Sequence, residues 1–149
     1  MKNRKALCCV LTALNLALIW GNSVLPGEVS MELSDGFLAL MGQGVPAFAR
    51  IGSILIRKLA HFSEFACLGL LLGWMFHGEA ARGFRDFAVP ALLGTLAACV
   101  DETIQRFVPG RESSLIDVWI DIFGVCTGIL LLRLGYRCIR RRKERKQNF

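Results

Sequence analysis

The chain has 149 residues, of which 54% are hydrophobic and only 20% charged, with a formal net charge of +6. A water-soluble domain is about 45–50% apolar even with glycine counted, so this composition excludes a disordered chain and argues against a soluble globule. The surplus Lys and Arg flank apolar stretches and crowd the C-terminus. That distribution points to a membrane rather than to nucleic acid.

A membrane-crossing helix needs ~20 mostly apolar residues. Four stretches qualify in chain order: residues 6–25, 59–76, 87–108 and 115–134, followed by a basic tail over 135–149. The expected fold is therefore all-α, a single-domain bundle of four transmembrane helices. The first stretch follows Lys2, Arg4 and Lys5, lacks a clear small-x-small cleavage site and reads as an uncleaved span. Pro90 is expected in the first turn of the third span, where its missing N–H does little harm. Pro109-Gly110 marks a turn between the third and fourth spans.

Between the first two spans, Leu33, Phe37, Leu40 and Met41 recur at helical spacing, with Glu32, Asp35 and Gln43 on other faces. This predicts either a short amphipathic helix at the interface, limited by Gly42, Gly44 and Pro46, or an irregular loop. With both termini cytoplasmic, thirteen of the 18 Lys and Arg lie inside and five (Arg50, Arg57, Lys58, Arg106, Arg111) outside. The positive-inside rule then predicts an N-in, C-in plasma-membrane protein. The six cysteines include no Cys-x-x-Cys pair and read as small hydrophobes. The tail Arg140-Arg141-Arg142-Lys143 reads as a topology anchor on anionic lipid, with no nucleic-acid partner.

Charges that break the apolar pattern gather at one end of three spans. Arg57, Lys58, His61 and Glu64 lie on the second; Asp101, Glu102, Gln105 and Arg106 on the third; Arg111, Glu112, Asp117 and Asp121 at the start of the fourth. At ~1.5 Å per residue, Asp121 lies ~9 Å beyond Leu115, Asp101 ~10 Å before Val108, and Glu64 ~7–8 Å beyond Leu59. An ionised side chain facing lipid near the helix centre costs ~2.5–3.5 kcal/mol on insertion scales. These groups should therefore face one another or a hydrated cleft, which makes them a functional-site hypothesis. His61 and Glu64 (i,i+3), Asp101 and Gln105 (i,i+4), and Asp117 and Asp121 (i,i+4) each share a helix face. Gly94, Ala97, Ala98, Gly69, Gly73, Gly124 and Gly128 sit further along the spans, where small residues allow close helix approach, within one chain or between two.

The segments from Arg57 to Phe65, Asp101 to Arg111 and Asp117 to Gly124 resemble the three signature blocks of the VanZ-like family. In that pattern Lys58, His61, Glu64, Asp101, Glu102, Gln105, Arg111, Asp117, Asp121 and Gly124 match, while Phe65 stands where tyrosine is common. The resemblance implies a bacterial, multi-pass membrane protein of the teicoplanin-resistance type. It does not define a molecular activity.

Three readings of the polar residues follow. In the first the site is an enzyme acting on an envelope lipid or lipid-linked cell-wall precursor. His61, Glu64, Asp101, Glu102 and Asp121 then supply acid–base chemistry, and Lys58, Gln105, Arg111 and Asp117 bind substrate. Glu64, Asp101, Glu102, Asp117 and Asp121 are also oxygen donors suited to a hard divalent cation such as Mg²⁺. In the second reading the site binds, shields or transports an envelope component or a glycopeptide without chemistry. In the third, pairs such as Arg111 with Asp117 and His61 with Asp101 only neutralise each other and fix helix register.

Overall fold

The computed structural model describes residues 2–40, 46–76, 84–111 and 114–147, with side chains placed at 3, 5–40, 51–76, 84–111 and 114–146. Met41, Gln43, His77, Glu79, Glu112 and Ser113 fall outside the described residues. Five helices follow one another: α1 (Lys2–Ser23), α2 (Gly27–Leu40), α3 (Pro46–Phe76), α4 (Arg85–Gln105) and α5 (Leu115–Gln147). All but α2 are long and apolar enough to cross a membrane.

Polarity is inverted relative to a soluble bundle. Leu7, Leu14 and Leu18 on α1, Leu92 and Leu96 on α4, and Trp119, Phe123 and Leu131 on α5 point outward and are largely exposed. Ser23, Ser53, Asp101, Glu102, Gln105 and Asp121 are buried instead. An apolar exterior with the polar side chains turned inward is the arrangement lipid selects, because lipid cannot hydrogen-bond a polar side chain.

The most extensive helix pair is α3 with α5. Its closeness comes from missing side chains. A Cβ on Gly128 would lie 2.0 Å from the Ala66 carbonyl oxygen, one on Gly69 2.2 Å from the Val125 carbonyl oxygen, and one on Gly124 2.6 Å from that of Phe62. On the α4 side, Gly94 makes room for the Val125 side chain, with 2.5 Å left for an added Cβ. Phe65, Leu68, Leu72, Ala97, Ala98, Val125 and Ile129, with Ile19 from α1, form the buried apolar core directly beneath the polar residues. Phe65 is fully buried there, so this position serves packing.

Several boundaries differ from the sequence expectation. The stretch after the first span takes the helical one of its two expected forms, over 27–40, whereas the second crossing helix begins at Pro46, about four turns before Leu59. Pro90 lies inside α4, which begins at Arg85, and not in its first turn, and it is buried. The basic tail is not a separate segment but the continuation of α5 to Gln147. The six cysteines are free, and only Cys8 is buried; Cys9, Cys67, Cys99 and Cys138 occupy outward-facing positions.

At the polar end the connections interlock. The Gly27 N–H donates to the Pro109 carbonyl at 3.1 Å, tying the start of α2 to the α4–α5 turn. Gly110 in that turn has φ of 73°, a conformation open to glycine. A Cβ on Gly27 would sit 1.8 Å from the Gly110 carbonyl oxygen, so both glycines are required by this contact.

Candidate functional site

The site is assembled where α1 ends, α4 ends and α5 begins, against the middle of α3. Asp101 is its most buried member, with no exposed surface. The Ser23 hydroxyl donates to Asp101 Oδ1 at 2.5 Å, and Gln105 Nε2 donates to Oδ2 at 2.7 Å and to the Ser23 hydroxyl at 3.1 Å. The i,i+4 spacing of Asp101 and Gln105 makes the second contact local to α4. His61 Nδ1 lies 3.9 Å from Asp101 Oδ2, beyond hydrogen-bond length.

Asp121 reaches the same place from α5. It is 2% exposed, and its Oδ1 has no hydrogen-bond partner among the described residues. One donor atom each from His61, Asp101 and Asp121 lies within 4.8 Å of the other two. Burial of a carboxylate oxygen without a partner is costly, so this corner of the site is incomplete in protein atoms alone.

The remaining acids are drawn off to other partners. Glu64 Oε1 accepts from Asn22 Nδ2 at 2.7 Å. Glu102 Oε1 accepts the Ser114 N–H at 2.5 Å, and Ser114 immediately precedes α5, its carbonyl accepting from Asp117 N. A carboxylate at that helix start is favoured by the dipole, which gives Glu102 a holding role. Lys58 pairs with Asp117. Of the five oxygen donors expected around a cation, only Asp101 and Asp121 converge, and His61 joins them in place of Glu64, Glu102 and Asp117.

The expected Arg111–Asp117 pair is replaced. Arg111 donates through Nε to the Leu25 carbonyl at 3.1 Å and through Nη2 to the Asn22 carbonyl at 2.7 Å. Asn22 lies in the last turn of α1, where the helix dipole is negative, and Leu25 lies just beyond it, so the guanidinium braces this helix end and the chain that leaves it. Burial, and then the nearby Arg57 charge, lower the Arg111 pKa from its ordinary value; a guanidinium nonetheless remains protonated. Arg106 lies at the exposed rim.

Two hollows meet at this cluster. A narrow one between α3, α4 and α5 is lined by Arg57, Lys58, His61, Gln105, Asp117 and Asp121, with room for about one water-sized occupant. A wider cleft runs between α1, α2 and α3. Its polar end holds Asn22, Arg57, His61, Glu64 and Arg111, and its apolar wall holds Leu25, Leu33, Phe37 and Ile56. Arg57 and His61 border both.

Asn22 and Ser23 of α1 do not figure among the residues expected from the sequence, although they bond directly to Glu64 and Asp101. The available signal was two adjacent amide and hydroxyl side chains at the same membrane depth as the acids. The structure brings Lys58, His61, Glu64, Asp101, Glu102, Gln105, Arg111, Asp117 and Asp121 to one end of the bundle.

A family model described as VanZ/LLP1 matches residues 7–136, which takes in α1 to α4 and most of α5. No curated protein and no solved structure matches the chain.

Proposed function

Because the chain belongs to the VanZ/LLP1 family, with which its link to glycopeptide resistance comes, we propose that its polar site receives the head group of an envelope amphiphile. The amphiphile is a membrane lipid or a lipid-linked cell-wall precursor. One observation carries this reading: the cleft between α1, α2 and α3, where an apolar wall of Leu25, Leu33, Phe37 and Ile56 runs into Arg57, His61, Glu64 and Arg111. An amphiphile has the same change of polarity along its length. Arg57 and Arg111 suit phosphate or carboxylate oxygens, and Glu64 suits a sugar hydroxyl or an amine. Asn22 and Ser34 add short polar contacts along the cleft. The site opens toward the outer leaflet, on the bias of Lys and Arg between the two ends of the spans.

A purely structural reading is supported by the Lys58–Asp117 pair and by the Ser23–Asp101–Gln105 network. It leaves Asp121 Oδ1, Glu64 Oε2 and Glu102 Oε2 buried without partners among the described residues, however. Leftover acceptors in a family-defining cluster favour a visiting ligand.

The test is native mass spectrometry of the full chain in nanodiscs made from bacterial envelope lipid. Wild-type protein is expected to retain a phosphate-bearing lipid, and Arg57→Gln and Glu64→Gln to lose it at equal accumulation. Equal retention by all three proteins overturns the proposal. A mass change in the lipid on incubation makes the site catalytic; an unchanged lipid makes it a receptor.

A further inference from the structure

We propose that His61, Asp101 and Asp121 form a binding site for one divalent first-row transition ion. The assignment deepens the head-group reading, since the ion would meet the oxygens of that group, but it is argued and tested without lipid.

The three residues come from three helices, α3, α4 and α5, and present donor atoms within 4.8 Å of one another. Clustering of acids alone would not justify an ion. The independent observation is Asp121, 2% exposed with an Oδ1 that no group among the described residues satisfies. The hollow it shares with His61 and Gln105 has the size of one water-sized occupant. A cation there would satisfy the open oxygen and relieve the approach of two buried carboxylates.

The surroundings have the form of a supporting shell. Asp101 is already oriented by Ser23 and Gln105, as metal-ligating carboxylates commonly are. The nearby cations are largely engaged elsewhere: Lys58 with Asp117, and Arg111 with the Asn22 and Leu25 carbonyls. Arg57 faces the same hollow and opposes the ion's charge, so the site is expected to hold one ion and not two.

The donor set narrows the choice of metal. One imidazole nitrogen with two carboxylates suits Mn²⁺, Fe²⁺ or Zn²⁺, whereas Mg²⁺ and Ca²⁺ favour all-oxygen shells. This replaces the magnesium expectation drawn from the acids alone. Three protein ligands also leave positions open, the pattern of ions that bind a substrate oxygen rather than of closed structural sites.

The experiment is a Co²⁺ titration of the purified full chain in detergent, followed by visible absorption and reversed with Zn²⁺. The expected result is a spectrum that saturates at one Co²⁺ per chain and is erased by Zn²⁺. Asp121→Asn and His61→Gln should each weaken binding at least tenfold, while Glu144→Gln should match wild type. Helicity and thermal unfolding of each variant separate lost binding from lost folding. If a variant does not fold, the wild-type arm decides through a saturable, chelator-reversible rise in Tm with Zn²⁺. Wild-type protein with neither a saturating spectrum nor that rise overturns the proposal, as does a folded Asp121→Asn that binds like wild type. Lipid retention without metal binding would discard the ion and keep the head-group reading; metal binding without lipid retention would do the reverse.

Discussion

The Ser23 hydroxyl at the end of α1 donates to Asp101 Oδ1 on α4 at 2.5 Å, and neither side chain has exposed surface. This bond joins the first span to the acid at the heart of the site. Ser23→Ala removes the donor and leaves a buried carboxylate oxygen short of a partner, at a cost of ~1–3 kcal/mol. Thermal unfolding in detergent should show a lowered Tm; an unchanged Tm means that water replaces the hydroxyl.

Asp101→Asn and Asp121→Asn preserve shape and remove charge. Both are expected to accumulate at wild-type levels and to lose lipid retention. In a host whose glycopeptide tolerance depends on this chain, the tolerance should fall as well. Full retention and tolerance in both variants leaves the cluster a structural one.

Gly128→Ala places a methyl group against the Ala66 carbonyl oxygen, which cannot rotate away. Overpacking of this kind costs ~1–3 kcal/mol. Gly135→Ala, further along the same helix with nothing within 4 Å, should be neutral or gain up to ~1 kcal/mol from helix propensity. Denaturation of the two variants side by side checks the contrast.

The Lys58–Asp117 pair is partly exposed, with side chains 34% and 24% accessible. A double-mutant cycle with Lys58→Met and Asp117→Asn should therefore give a modest coupling of roughly 0.2–1 kcal/mol, reduced by salt. A coupling near zero assigns Lys58 to ligand rather than to its neighbour.

Orientation is open to labelling. In a background with the six native cysteines replaced, Glu32→Cys on α2 should react with an impermeant maleimide in whole cells. Glu144→Cys at the far end of α5 should react only after lysis. The reverse pattern would place the site on the cytoplasmic side.

The helices, and the gathering of His61, Asp101 and Asp121, were legible because both depend on period and depth. Twenty apolar residues cannot do much other than span, and i,i+3 or i,i+4 charges share a face. Partner choice was less legible. Arg111 and Asp117 are six positions apart and opposite in charge, yet the Asn22 and Leu25 carbonyls take the guanidinium and Lys58 takes the acid. Asn22 and Ser23 resembled ordinary end-of-helix residues, and only tertiary packing reveals that they face carboxylates. The early start of α3 was obscured by Pro46, which reads as a breaker after Gly42 and Gly44; proline is harmless where it opens a helix.

Val125 lies one turn from Asp121 and fills two notches at once, its backbone against Gly69 and its side chain against Gly94. Where main chains touch directly, no rotamer is available to absorb movement. The spacing between α3 and α5 just below His61 and Asp121 is therefore set by the thickness of the polypeptide itself. An ion held by His61 and Asp121, as proposed above, would therefore meet a floor that resists stretching, and ions of larger radius would be held less well.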